Sequence, residues 1–241
     1  MADDHAELEV QHRLLQERYA EIASLAGGLA HEIRNPLSTI MLNLELMAED
    51  LEATESQRER RMLQKLQSVR RECDHLERIL EDFLQFARVG ALQPEPTDLN
   101  DVVREFIEFY QPLAAEQRVD LSPHLGTDLP AVLLDRRLWR QLLLNLSRNA
   151  AQAMPEGGVL ELQTCAREGS VLLEIIDNGQ GMDPATQKRM FETFFSTRSQ
   201  GSGLGLPTVR KIVEGHHGQI ECESAVGRGT RFVITLPAAV P

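Results

Sequence analysis

At 241 residues, with 42% apolar and 26% charged side chains, the chain has an ordinary globular composition, long enough for one large domain or two modest ones, which excludes disordered and fibrous classes. Its 37 acidic against 25 basic residues leave a formal charge of −12, which repels a phosphate backbone and excludes non-specific nucleic-acid binding. Neither the polar opening MADDHAELEVQHRLLQERY nor any other segment forms the apolar stretch of a signal peptide or membrane span, so a membrane sensor, if one exists, lies outside this chain.

From about Ala6 to Leu51 only Gly27-Gly28 interrupts a helical pattern in which Leu14, Tyr19, Ile22, Leu25, Leu29, Ile33, Ile40, Leu44 and Met47 recur at helix-like intervals. A polar stretch, Ala53-Thr54-Glu55-Ser56, offers a turn and an N-cap. A second periodic run follows through Met62, Leu66, Val69, Cys73, Leu76, Leu80, Phe83 and Leu84. Two antiparallel helices result. A two-helix ribbon leaves half of each apolar seam in water, and pairing of two chains into a four-helix bundle covers it. Spacing alone equally allows a monomeric coiled-coil spacer packed on the following domain.

Around Gly90-Ala91-Leu92-Gln93-Pro94-Glu95-Pro96 the pattern breaks at a domain boundary, since two prolines and a glycine do not continue a helix. Beyond it the pattern predicts helices over about Leu99 to Ala115 and Asp135 to Met154, then alternating strands near Val159 to Thr164 and Val171 to Ile176. A last helix, about Leu204 to Glu214, precedes strands at Gln219 to Glu223 and Arg231 to Leu236. A sheet covered by helices fits that order.

Cys73, Cys165 and Cys222 are few, odd in number and far apart, which points to a reducing cytoplasm with each cysteine a small buried apolar residue. His5, His12, His75, His124, His216 and His217 read as solvated surface residues.

Four segments in the second half carry chemistry: Asn145-Leu-Ser-Arg-Asn149, Asp177-Asn-Gly179-Gln-Gly181, Gly201-Ser-Gly203-Leu204-Gly205 and Gly227-Arg-Gly229-Thr230. Asn145 and Asn149 are four apart, so two amide oxygens share one helix face. Hard oxygens of that kind suit magnesium beside a triphosphate, and equally suit surface asparagines bonded to nearby loops. Asp177 ends an apolar strand and precedes glycines that let backbone approach a ligand, so a buried carboxylate there can accept from an exocyclic amine such as that of adenine. Gly201 to Gly205 leads into a helix, where backbone N–H groups favour phosphate.

In this order the segments resemble the N box and glycine boxes of the ATP-binding domain shared by histidine kinases, gyrase, Hsp90 and MutL, and Phe191-Glu-Thr-Phe194-Phe195 resembles the F box. That resemblance implies a Bergerat-type α/β sandwich binding ATP with Mg2+, through Asn145, Asn149, Asp177, Gly179, Gly181, Phe195, Arg198, Gly201, Gly203, Leu204, Gly205 and Thr230. Asn149 and Asn145 would hold the metal. The superfamily's ATP-hydrolysing members carry a basic glutamate where this chain has Asn145, and an amide cannot deprotonate water. Another acceptor is needed.

Leu29-Ala-His31-Glu32-Ile-Arg34-Asn35-Pro36-Leu37 resembles the H box of histidine kinases. The resemblance implies His31 as phosphoacceptor, Glu32 as the carboxylate taking its proton, and Asn35 as the residue orienting water to dephosphorylate a regulator. Asn35 is equally explained by its place before Pro36, where helical geometry is disfavoured. Pro36 lacks the N–H that would bond the carbonyl of Glu32, so a bend beside His31 is expected. The short Ser196 to Gln200 segment resembles the ATP lid of nitrogen-regulator-type kinases, with Arg198 able to clamp a phosphate or to remain solvated.

The whole is an α+β chain identified as resembling sensor histidine kinases. An N-terminal helical extension over 1–19 is followed by a dimerisation and phosphotransfer hairpin over 20–92 and an ATP-binding domain over 93–241. The implied partners are a second copy, a response-regulator receiver domain and an upstream or separate sensor, in the cytoplasm. An ATPase clamp and a non-catalytic scaffold are the alternatives.

Overall fold

The computed structural model describes residues 33–48, 57–89, 92–198 and 201–239. These divide into two compact units: the helices within 33–89, grouped with Arg198, Gly201 and Ser202, and a sheet unit formed by 92–197 and 203–239.

In the first unit residues 33–48 are helical (α1), and α2 spans Gln57–Arg88. Helix continues on both sides of Pro36. A run of Arg, Gln, Glu and Leu with no glycine or proline forms α2 from residues that lose little rotamer freedom in a helix. Arg70 of α2 lies 3.9 Å from Glu45 of α1, a solvated pair that orients more than it stabilises. Leu84 and Ala87 are buried, with Leu80 and Phe83 packed against them. Two apolar rows stay open: Ile33, Ile40 and Met47 on α1, and Met62, Val69 and Leu76 on α2, all 39% to 54% exposed. Within each row the residues are seven apart, the interval of a helix–helix seam. The expected turn at Ala53 to Ser56, the helix before residue 33, and both His31 and Glu32 lie outside the described residues.

The second unit runs β1 (Glu95–Thr97), α3 (Leu99–Glu116), β2 (Val119–Leu125), β3 (Val132–Leu134), α4 (Arg136–Ala153), β4 (Gly158–Arg167) and β5 (Ser170–Asp177). It continues with α5 (Pro184–Arg189), α6 (Gly205–Gly215), β6 (Gln219–Ala225) and β7 (Gly229–Pro237). Aspartate side chains cap three helices: Asp98 accepts from Asn100 N at 2.8 Å, Asp135 from Leu138 N at 3.1 Å, and Asp183 from Ala185 N at 2.8 Å. The main sheet has the order β2-β4-β5-β7-β6, with β2 parallel to β4 and the other pairs antiparallel, while β1 and β3 form a small ribbon.

Along β5 burial alternates strictly, placing Val171, Leu173, Ile175 and Asp177 on the helix-covered face. Phe106 and Tyr110 of α3, Trp139, Leu142 and Leu146 of α4, and Val209, Ile212 and Val213 of α6 are buried in the unit's core. Each large side chain removed from water there contributes about 2 kcal/mol. On the open face Arg231 bridges Glu174 at 2.8 Å and Glu223 at 2.9 Å.

The sequence reading missed β1, β2, β3 and α5. β2 contains Pro123, which sequence rules demote, and tolerates it because β2 is an edge strand whose second side needs no ladder. Two further expectations are corrected. Cys165 is exposed rather than a buried apolar residue, since burial along β4 ends at Thr164. His216 is buried, 4% exposed, rather than solvated.

Candidate functional site

Helix α4 carries Asn145 and Asn149 on one half-buried face. The Asn145 amide nitrogen donates to the carbonyl of Gly205 at 3.4 Å, a long contact that links the middle of α4 to the first residue of α6. Asn149 also makes a polar interaction. Unlike α3, α4 and α5, helix α6 has no side-chain cap, its N-cap being Leu204. Its leading N–H groups therefore end on no capping side chain, the arrangement that favours an anion.

Asp177 ends β5 and is 7% exposed. Its Oδ1 accepts from Gly179 N at 2.9 Å, and the backbone N–H of Thr230 donates to the same carboxylate. Burial pushes its pKa up, and these two hydrogen bonds pull back against that shift. Thr230 is its register partner across β5 and β7. Gly229 makes that approach possible: with φ at +81° and no side chain, its Cα stands where any Cβ would collide with the Asp177 carbonyl. Gly181 lies against the backbone of Ala225 and Gly229, so the loop from Asn178 to Met182 is laid onto the β6–β7 turn. Gln180 N donates to the Ala153 carbonyl at 3.0 Å, and Gly227 N donates to the Gln180 carbonyl at 2.8 Å.

Gly203, φ +68°, packs its Cα on the backbone of Phe194, and Phe194 N donates to Gly203 O at 3.0 Å. Phe195 is half-buried under the guanidinium of Arg189, 4.2 Å from its ring centroid. Arg198 is exposed and engaged in an interaction of its own. It and Gly201 group with the helical unit, whereas Gly203, Leu204 and Gly205 belong to the sheet unit. Asn35 is exposed on α1.

Within the sheet unit, then, Asn145 adjoins the start of α6, and Asp177, Gly179, Gly181 and Thr230 form one acidic, backbone-lined end of β5 and β7. This end can hold an amine donor against a carboxylate. Cys222 stands near Asp177 but is not a nucleophile, because burial first and the Asp177 and Glu223 charges second push its thiol up to about 12.

The sequence reading overlooked residues that brace this end. Ser224 and Gln187 bond the Met182 segment: Met182 N donates to Ser224 Oγ at 2.9 Å, and Gln187 Nε2 donates to Met182 O at 3.0 Å. Ser224 shares its strand face with Ile220 and Cys222 by period-2 alternation, but nothing in the sequence names its partners. His216 accepts from Asp135 N through Nε2 at 2.9 Å, and its Nδ1 lies 2.7 Å from the Ile212 carbonyl. An N–H can only donate, so the ring is neutral, with its proton on Nδ1. The same Asp135 accepts from Gln93 N at 3.2 Å, and Leu92 lies on Gly215. This joins the start of the unit to the beginning of α4 and the end of α6. Val209, Ile212, Val213 and His216 follow helical spacing, a signal that could have placed His216 inside.

Residues 134–240 match the family model described as histidine kinase-, DNA gyrase B- and HSP90-like ATPase, and residues 21–92 match the His Kinase A (phospho-acceptor) domain. The chain is 34% identical over 238 residues to the signal transduction histidine-protein kinase AtoS of Escherichia coli K12, covering 98% of this chain and 38% of the relative. It is 34% identical over 224 residues to the sensor histidine kinase ZraS of Klebsiella oxytoca, covering 92% and 47%. The chain thus spans less than half the length of these curated relatives. Among solved structures it resembles full-length ShkA in complex with AMPPNP, with a TM-score of 0.67, 31% identity, and coverage of 90% of this chain and 46% of that one. It also resembles histidine kinase ThkA in complex with response regulator protein TrrA, with a TM-score of 0.65, 26% identity, and coverage of 98% and 66%.

Proposed function

The chain belongs to the histidine kinases, and on that premise we propose that it is the catalytic core of a sensor kinase, transferring the γ-phosphoryl group of ATP to His31. In this reading a hairpin over residues 20–92, after a helical extension over 1–19, presents His31, and residues 93–241 bind the nucleotide. One imidazole nitrogen of His31 attacks the γ-phosphorus, the bond to the ADP oxygen breaks, and Glu32 takes the proton of the other ring nitrogen. The phosphoryl group then passes to an aspartate of a response-regulator receiver domain. ThkA, solved with such a regulator, supports that step.

In the nucleotide domain Asp177 would accept from the adenine amine, with Gly179, Gly181 and Thr230 shaping the pocket around the base. Gly201, Gly203, Leu204 and Gly205 would wrap the phosphates, Arg198 would clamp them, and Phe195 would anchor the lid. Among the described residues no group of three or more His, Cys, Asp or Glu side chains could hold a metal ion. A magnesium ion would be held largely by phosphate and water, with the neutral amide oxygens of Asn149 and Asn145 as the protein groups that would hold it. It supplies charge neutralisation of the triphosphate.

The observation that carries the choice of kinase over ATPase is Asn145 itself. Its amide donates to Gly205, so the position where hydrolysing relatives need a base holds a group that cannot take a proton. The seven-residue apolar rows on α1 and α2 support a dimer that buries them. No helix among the described residues is long and apolar enough to cross a membrane. In the proposed reading the chain is a cytoplasmic core driven by an upstream or separate sensor. Asn35 would orient water for dephosphorylation of the regulator.

Incubation with γ-labelled ATP tests the reading. Acid-labile, base-stable label on the protein is expected, lost in His31→Gln while ADP binding persists. Free phosphate without protein label would mean an ATPase, and neither product would mean a scaffold.

A further inference from the structure

Asp177, Thr230 and Ser224 form a row across three neighbouring strands, since Asp177 on β5 is paired with Thr230 on β7, and Thr230 is paired with Ser224 on β6. Ser224 Oγ has three partners: Met182 N at 2.9 Å, the Gly229 carbonyl at 2.9 Å and Thr230 Oγ1 at 3.1 Å. Two of them admit only one direction. A backbone N–H donates and a carbonyl accepts, so Ser224 receives the Met182 proton and gives its single proton to Gly229. The third contact then has one donor left, the hydroxyl of Thr230.

The consequence lies on the opposite side of Thr230. With its proton turned toward β6, its lone pairs are left toward β5, beside a carboxylate that is itself an acceptor. The row is held there, because Gln187 Nε2 donates both to Ser224 O at 2.8 Å and to Met182 O at 3.0 Å.

We propose that Ser224 is a specificity-determining residue: by engaging the Thr230 proton it keeps this end of the pocket free of hydroxyl donors, so that it accepts a 6-aminopurine nucleotide and rejects a 6-oxopurine one. The inference rests on the reading of Asp177 as the base contact. An exocyclic amine meets acceptors with its protons. A carbonyl at the same ring position meets two sets of lone pairs, and a site built for the donor penalises the group that lacks it. Ser224 acts through Thr230 and is a positioning residue rather than a catalytic one.

The test is calorimetric titration of the full chain with ADP and with IDP, in wild type, Ser224→Ala, Thr230→Val, the double variant and Ser224→Thr, with melting temperature as the folding check. Wild type is expected to prefer ADP. Ser224→Ala frees the Thr230 hydroxyl to donate and narrows that preference about three- to tenfold, mostly through stronger IDP binding. Thr230→Val narrows it by a similar factor, the double variant narrows it no further, and Ser224→Thr, which keeps the hydroxyl, preserves it. An unchanged ADP-to-IDP ratio in Ser224→Ala overturns the inference, as does equal loss of both ligands, which would make Ser224 only a brace for the loop. If Ser224→Ala does not fold, Thr230→Val and Ser224→Thr decide: an unchanged ratio in the first or a narrowed one in the second is equally fatal. A wild type that binds ADP and IDP alike, or an Asp177→Asn variant with wild-type ADP affinity, overturns the reading of Asp177 beneath it.

Discussion

Replacing Asp177 with asparagine separates the charge of the base contact from its shape. The carboxylate is 7% exposed and accepts N–H groups from Gly179 and Thr230. A charged hydrogen bond to an exocyclic amine contributes about 1.5–3 kcal/mol, against about 1 kcal/mol for a neutral one. Asparagine also places an NH2 where one acceptor oxygen stood. The loss of about 1.5–3 kcal/mol corresponds to roughly 10- to 100-fold weaker ADP binding. Stability moves the other way. Burial raises the Asp177 pKa above its ordinary value, so the unfolded chain gives up this proton more readily and the ionised group costs stability at neutral pH. The neutral amide removes that cost, so Asp177→Asn is expected to melt no lower than wild type while binding ADP more weakly. Calorimetry with and without magnesium, beside thermal melts, checks both parts, and the loss should persist without the metal because the base contact needs none. ADP affinity within twofold of wild type in a folded variant would refute the reasoning, and so would a loss confined to magnesium-containing buffer.

Acid should destabilise the sheet unit through His216, whose pKa burial lowers, with the Ile212 carbonyl and the Asp135 charge opposing and His217 assisting. The full contribution is present above the ordinary histidine value of about 6.5 and is lost as pH falls from there through the lowered folded value. Chemical denaturation between pH 8 and 5 should show it, and His216→Leu should flatten that slope while costing about 1–3 kcal/mol by orphaning the Asp135 N–H. Val69→Glu, on an exposed row of α2, should weaken self-association about 100-fold by placing a charge in the seam, read by analytical ultracentrifugation, with the melt of the sheet unit unchanged. Asn35→Ala should retain autophosphorylation yet fail to speed the decay of phosphorylated regulator in ADP and magnesium. Decay as fast as with wild type would end that assignment.

Much of the architecture was legible because it rests on local rules. The periodicity through Met62 and Leu84, the break at Pro94 and Pro96, and the alternation of Val171 to Ile176 depend only on which face each residue presents at period 3.6 or 2. The boxes were legible for a similar reason. Asn145 and Asn149 share a face by spacing alone, and Asp177 reads as a strand end because glycines follow it. What the sequence determined by itself was therefore the longer elements and their order, α3, α4, β4, β5, α6, β6 and β7, while β1, β2, β3 and α5 escaped it.

Tertiary structure decided which segments meet. β2 was invisible because Pro123 is acceptable only at a sheet edge, and edge position follows from the strand order. His216 read as one more solvated histidine until Asp135, 81 residues away in the chain, offered its N–H. The direction of the Thr230 proton depends on Ser224, Gly229 and Met182 converging from three segments. Such hydrogen bonds are set by distance and angle in space, and no local pattern in the chain encodes them.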